Sequence, residues 1–388
     1  MLIDFDQPIN RINSNSIKWD AMEKLYGVSP KDGLAMWVAD MDFKAPEAVN
    51  LCIKNMSEHG IHGYFGDDSG YKTALRSWMS KKHNWEIEDS WSAETHGLGA
   101  AIGISLRAYS EPGDEVIVFS PVYHSFARII KANNRKVKEA KLQIENGIYK
   151  FDLDNLGKSL SGNEKIMLFC SPHNPGGRIW KKNELEDLVT FCEAHNLVLL
   201  CDEIHADLTY PNFKHNTLLA AVPSAKNRAV VMVSTTKPFN LSGGEMGSVI
   251  IPDPDLRNKF DLAHEATGKM PNRIGMKMAE AAYLYGEEWL FQLVNYLEKN
   301  KFCFEQGIKS IKGFESMPLQ STYLAWINFE KTGLSPTEFY RLLFKEAKIA
   351  ANIGSSFGSG GEMYVRINFA CRKAIVEDAI ERLQNTFS

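Results

Sequence analysis

The chain has 388 residues, 44% of them hydrophobic and 24% charged, with a formal net charge of −4. That balance excludes a disordered chain, and lysines and arginines spread along the sequence leave no basic patch for nucleic acid or a membrane surface. Six cysteines without a CxxC pair argue against a zinc site or a disulfide scaffold and predict reduced thiols in the cytoplasm.

Residues 1–45, rich in Asn, Asp and Ser, are predicted to be irregular and packed against the rest. Their start lacks the basic and apolar regions of a signal peptide, so none is expected. No apolar run exceeds strand length, so no membrane span is expected. From about Pro46 the pattern becomes regular. Helices are predicted over 70–83 and 97–109; in the second, Leu98, Ile102, Leu106 and Tyr109 recur at helical spacing. The turn Glu111-Pro-Gly-Asp114 leads into a strand over 115–119, and further strands are predicted over 166–170, 197–204, 229–234 and 248–251. A helix with Asn183 as N-cap and Glu186 completing a capping box lies between the first two of these. Strands alternating with helices predict an α/β fold, a large domain with a mainly parallel central sheet covered by helices. Residues 272–312 read as helical, followed by a strand over 322–329, a helix over 336–348, a strand over 363–370 and a helix over 373–386. These predict a smaller α+β domain, which the N-terminal segment joins. The expected division is 46–285 for the large domain, and 1–45 with 286–388 for the small one.

Polar residues cluster where predicted strands end. The strand over 166–170 runs into Ser171-Pro-His-Asn174, that over 197–204 carries Asp202, and that over 229–234 runs into Ser234-Thr-Thr-Lys237. Open α/β sheets bind ligands outside the carboxyl ends of their strands. An Asp after a strand is usually a cap, and a lone Lys is usually solvated. Asn, Asp and Lys on three strand ends in this order suit one cofactor, pyridoxal phosphate. It needs a lysine amine, a carboxylate for its pyridine nitrogen and a donor to its ring hydroxyl oxygen.

On these and further motifs the sequence resembles the fold-type I pyridoxal-phosphate enzymes of the class I/II aminotransferase superfamily, and within them the MalY/PatB group of cystathionine β-lyases, or C–S lyases. The likeness spans nearly the whole chain. It is carried by Arg11-Ile-Asn-Ser-Asn-Ser-Ile-Lys-Trp-Asp20, Met36-Trp-Val-Ala-Asp-Met-Asp-Phe43, Gly63-Tyr-Phe-Gly66, Pro121-Val-Tyr-His124, Pro172-His-Asn-Pro-Gly-Gly-Arg178, Asp202-Glu-Ile-His-Ala-Asp207, Ser234-Thr-Thr-Lys237 with Phe239-Asn-Leu241, and Val365-Arg-Ile-Asn-Phe-Ala370. The resemblance implies that Lys237 holds the cofactor and serves as base at Cα, that Asp202 pairs with the pyridine nitrogen, and that Asn174 donates to the ring hydroxyl oxygen. His205 stands where aminotransferases of this superfamily carry a Tyr donor to that oxygen; it either replaces the Tyr or supports the ring from behind. Tyr123 matches the ring-stacking aromatic. Leu98 and Gly99, with the Ser234 hydroxyl, match the phosphate site at a helix start. Tyr64 matches a tyrosine that reaches the neighbouring subunit's phosphate, which implies a homodimer with shared sites. Arg366 matches the arginine for the substrate α-carboxylate. Trp37, Val38 and Ala39 line the substrate side, although Trp37 is equally readable as core.

Two departures matter. Many aminotransferases of this fold carry an Arg eight residues after the lysine, on the cofactor phosphate; here that position is Glu245. Pro238 follows the lysine where the lyase group usually has Thr. The first departure favours a C–S lyase acting on L-cystathionine or a related thioether, with a class I/II aminotransferase as the alternative. A nucleotide-binding dehydrogenase is disfavoured: in Gly97-x-Gly99-x-x-x-Gly103 the third Gly is one residue late, and no strand is predicted to lead into it. No His, Asp or Glu spacing predicts a metal site.

Overall fold

Four of the predicted strands are apolar almost throughout, as strands covered on both faces must be. In the computed structural model, which describes residues 2–387 except Phe65 and Pro271, they form the centre of a seven-stranded sheet. Phe65 of the Gly63-Tyr-Phe-Gly66 motif thus lies outside the described residues. The spatial order is Ser92–Thr95, Gly247–Ile250, Ala229–Val233, Val198–Asp202, Glu164–Cys170, Glu115–Ser120 and Lys136–Lys141. The last five are mutually parallel, and Gly247–Ile250 runs antiparallel to both its neighbours.

Alternate residues feed two cores, as the two-residue strand period requires. Ile117, Phe119, Met167, Phe169, Leu199, Cys201 and Val231 face one core, which Leu185 and Leu188 of the helix Lys182–Ala194 also fill. Val116, Val118, Ile166, Leu168, Leu200 and Val230 face the other, under Leu98, Ile102 and Leu106 of the helix Gly97–Tyr109. That helix therefore lies across the sheet with its first turn at the strand ends.

Two sheet strands lack a sequence signal. Lys136–Lys141 is an edge strand studded with lysines, which also protect an open edge from pairing with another chain. Ser92–Thr95 is short and polar. It forms because its backbone completes the ladder of Gly247–Ile250, Thr95 opposite Gly247 and Ser92 opposite Ile250. The expectation that no strand leads into Gly97 is therefore corrected, and only the glycine spacing still counts against a dinucleotide pattern. The capping box is corrected by two residues: the helix starts at Lys182, and Glu184 Oε2 accepts from Lys181 N at 2.8 Å, so Asn183 lies inside the first turn. Residues 1–45 are less irregular than predicted. Short helices Ile17–Asp20 and Met22–Tyr26 are fixed by the buried side chains of Lys18 and Met22. Leu34–Ala35 pairs in parallel with Ile349–Ala350, which ties this segment to the C-terminal part.

The C-terminal residues form an antiparallel sheet in the order Glu315–Ser316, Leu324–Asn328, Tyr364–Asn368, Asn352–Ile353. The long helices Glu287–Lys309 and Lys373–Phe387 pack together against it. Among the described residues no helix is long and apolar enough to cross a membrane.

Candidate active site

Glu164–Cys170, Val198–Asp202 and Ala229–Val233 are adjacent and parallel, so their carboxyl ends deliver Asn174, Asp202 and Lys237 to one edge of the sheet. The Asn174 loop is fixed by Gly177, whose carbonyl accepts from Gln320 N and Ser321 N, both at 2.9 Å. Gly177 has φ +64°, and a Cβ there would lie 2.1 Å from Leu319 Cδ2, so only glycine fits.

Lys237 follows a tight turn in which Thr236 N donates to Ser234 Oγ at 3.1 Å. Its Nζ donates to Ala39 O at 2.7 Å, and among the described residues no carboxylate lies within ion-pair distance of it. Burial pushes its amine down to about 8; Arg366 adds to that effect, and Asp40 and Asp202 oppose it. The Asp202 carboxylate is buried, and among the described residues its one hydrogen-bond donor is Ile204 N at 3.0 Å. Burial pushes it up to about 6. His205 is buried with Nδ1 unpartnered, and burial, with Lys237 and Arg366 nearby, pushes its imidazole down to about 3.

Arg366 lies on the strand Tyr364–Asn368 and reaches the same place. Its Nη1 donates to Asn174 Oδ1 at 3.0 Å, and its Nη2 to Trp37 O at 3.0 Å and Asn352 Oδ1 at 2.5 Å. Tyr123 is part-buried beside it, its ring centroid 5.0 Å from that of His124. The helix Gly97–Tyr109 brings Leu98 and Gly99 to its N-terminus, with Gly97 at φ +75°. Gly247 permits this approach, since a Cβ there would lie 2.5 Å from Leu98 Cδ2.

One assignment changes. The Ser234 hydroxyl donates to Met246 O at 2.6 Å, so its proton is already used; the Thr236 hydroxyl, 2.7 Å from it, and the unpartnered, buried Thr235 hydroxyl are the other hydroxyls of this turn. Tyr64 is 95% exposed and takes no part in its own chain's cluster. Glu245 is exposed on a left-handed residue at φ +46°.

Sequence reading missed the clamp that shapes the site's near wall. Along Trp37–Phe43 nearly every carbonyl is held by a side chain. Asn368 Nδ2 takes Val38 O and Asp40 O at 2.6 and 2.7 Å, Tyr323 OH takes Ala39 O at 3.0 Å, and Asn240 Nδ2 takes Met41 O and Phe43 O, both at 2.9 Å. Asn240 and Asn368 sit inside motifs already noted, where an amide beside the key cation is the available signal. Tyr323 and Asn352 carry no local signal, because distant pairing brings them in.

The sequence and fold find counterparts among known proteins. A sequence model of the family Aminotransferase class I and II matches residues 41–383. The chain belongs to that family. It is 33% identical over 389 residues to the cystathionine beta-lyase PatB of Bacillus subtilis, covering 100% of both chains. Among solved structures it resembles cystalysin from Treponema denticola, which contains a pyridoxal 5'-phosphate cofactor, at a TM-score of 0.95 and 32% identity, covering 100% of this chain and 99% of that one. It also resembles the PLP-bound C–S lyase from Staphylococcus hominis, at a TM-score of 0.90 and 25% identity, covering 100% and 98%.

The residues of this family member fit that cofactor. An amine without an ion pair, a carboxylate with one donor and an imidazole with an orphaned buried nitrogen each lack a polar partner that the cofactor's aldehyde, ring nitrogen and ring hydroxyl would provide. Among the described residues no cluster of three or more His, Cys, Asp or Glu is arranged to hold a metal.

Proposed function

We propose that this protein is a pyridoxal-phosphate-dependent carbon–sulfur β-lyase that converts L-cystathionine, or a related cysteine thioether, and water to a thiol, pyruvate and ammonia. One juxtaposition carries the reading: the desolvated Lys237 amine lies beside Arg366, a buried guanidinium with no carboxylate partner among the described residues. One accepts a proton; the other accepts an amino acid's carboxylate.

Pyridoxal phosphate, when bound, supplies the electron sink that makes the substrate's Cα proton removable. Lys237 holds the cofactor between turnovers and takes the Cα proton when freed. An amine with a pKa near 8 is poised for that, and once protonated it can deliver a proton to the departing sulfur. Asp202 keeps a proton at the ring nitrogen. Asn174 has its oxygen committed to Arg366, which leaves its Nδ2 to donate to the ring hydroxyl oxygen. His205, its imidazole held low by burial, has an unpartnered Nδ1 that would serve that oxygen, or the ring would rest on it from behind. Tyr123 would stack on the ring, the Leu98 and Gly99 N–H groups would take the phosphate, and Trp37 and Ala39 would flank the substrate.

The rival reading is an amino-group transfer, which the family's character favours; the exposed Glu245 in place of a phosphate-binding arginine favours elimination. The two part on L-cystathionine. The lyase releases homocysteine, pyruvate and ammonia in equal amounts with no added keto acid. If turnover stops until a keto acid is supplied, the transferase reading replaces it.

We assign residues 46–285 to the large domain and 1–45 with 286–388 to the small one. We also infer a homodimer in which Tyr64 reaches the partner's phosphate. Its 95% exposure, with Ile61 three residues earlier in the chain also exposed, supports a protein surface there. Sedimentation as a fully active monomer would sink that inference. A cytoplasmic location is supported by six free cysteines.

A further inference from the structure

Arg366 is 2% exposed, yet each acceptor that holds it is neutral: Asn174 Oδ1, Trp37 O and Asn352 Oδ1. Among the described residues its Nε has no partner, and the Phe357 ring lies 4.9 Å from its guanidinium carbon. Arg178, equally buried, shows the ordinary arrangement, a two-pronged pair with Glu184. A buried cation without a carboxylate is costly, so the fold must fix it firmly and a ligand must complete it.

Asn352 is built for the fixing. It is the direct cross-strand neighbour of Arg366 in the antiparallel pair Asn352–Ile353 with Tyr364–Asn368, so both side chains leave the sheet on one face. Its Oδ1 takes Nη2 at 2.5 Å, and its Nδ2 donates to Tyr26 OH at 3.3 Å. Tyr26 is in turn held by rings, with centroids 5.2 Å from both Trp37 and Phe344. The line Tyr26–Asn352–Arg366 therefore sets the direction of the fork. An amide does this without spending the charge. A carboxylate at the same place would aim the fork as well, but would neutralise it.

We propose that Asn352 is a positioning residue that makes the site selective for substrates carrying an α-carboxylate: it aims Arg366 with a neutral acceptor and leaves its charge to the substrate. This rests on the reading of Arg366 given above.

Two substitutions separate aim from charge. In Asn352→Asp the second oxygen can accept from Tyr26 OH, so the local bonds survive while the charge is cancelled. KM for the amino-acid thioether should rise roughly 10- to 100-fold, as for loss of a charged hydrogen bond, with kcat within about threefold. Asn352→Ala keeps the charge and loses the aim, and KM should rise roughly 3- to 10-fold. A matching thioether amine without the carboxylate, used as a competitive inhibitor, should bind Asn352→Asp and wild type alike, which general damage to the fold would not allow. Arg366→Lys is measured alongside. If it raises KM and both Asn352 variants stay within about twofold of wild type, the role of Asn352 is overturned. An Asn352→Asp protein that weakens the amine and the amino acid equally overturns it too. If Arg366→Lys leaves KM unchanged, it is the carboxylate reading of Arg366 that falls.

Discussion

Around Arg11 and Lys18 each buried or half-buried cation has two carboxylates in reach: Arg11 pairs with Asp40 and Asp42 at 2.9 and 2.6 Å, and Lys18 with the same two at 3.5 and 2.9 Å. Against the same Trp37–Phe43 segment, Lys237 and Arg366 have none among the described residues. The turn after Val198–Asp202 repeats the contrast. Glu203 pairs with His215 at 2.9 Å and Asp207 with His83 at 2.8 Å, whereas among the described residues Asp202 has a single backbone donor. Paired buried charges hold parts of the chain together. Unpaired ones raise the folded state's free energy and persist where a ligand is to be bound. The difference marks the site more sharply than residue type does, since both regions are rich in the same side chains.

The comparison breaks first at Lys237. Lys237→Ala should lower the elimination rate by roughly 10⁴-fold, the upper end for a positioned base, with the protein still folded; pyruvate release at saturating cofactor reads it. In the paired region the loss should fall on stability instead. Asp42→Asn strips Lys18 of its closer carboxylate, and since Lys18 is 1% exposed the protein should lose about 3–5 kcal/mol while keeping most of its kcat, as denaturant midpoints and kinetics would record.

Asp202→Asn should lower the rate, as Lys237→Ala does, but move stability opposite to Asp42→Asn. Loss of the charge opposite the ring nitrogen should cut kcat roughly a hundredfold. The native carboxyl has been raised to about 6, so the folded protein binds the proton more tightly than the unfolded chain does and loses stability as pH rises from about 4 to 6. Without cofactor, the Asn variant should therefore be more stable than wild type above pH 6, by up to about 3 kcal/mol, and a wild-type advantage there would count against the unpaired reading. The smallest effect belongs to His83. Burial works against its charge, but Asp207, through its charge and hydrogen bond, outweighs burial and raises the imidazole above its ordinary value. Its stabilising contribution is complete below about pH 6.5 and fades as pH rises through the raised value. His83→Gln should thus cost more stability at pH 6 than at pH 9; an equal cost at both would sever the pair from the account.

The buried strands and long helices were legible because an apolar run or a helical period encodes them directly, as in the strand Glu164–Cys170 and the helix Gly97–Tyr109. Ser92–Thr95 was not, because its partner Gly247–Ile250 creates it. The same divide runs through the site. Asn174, Asp202, Lys237 and Arg366 stand at strand ends or inside motifs. Tyr323 and Asn352 enter from remote strands, and the spent proton of Ser234 depends on the carbonyl of Met246 twelve residues on. Sequence names the groups that carry charge; only folding decides which of them are paired.

The central claim is that Lys237 is the unpaired amine reserved for the cofactor. Purified protein would be loaded with pyridoxal phosphate, reduced with borohydride, digested and mapped by mass spectrometry. One pyridoxyl group per chain on Lys237 is the expected result; a label on another lysine with Lys237 unmodified would contradict it.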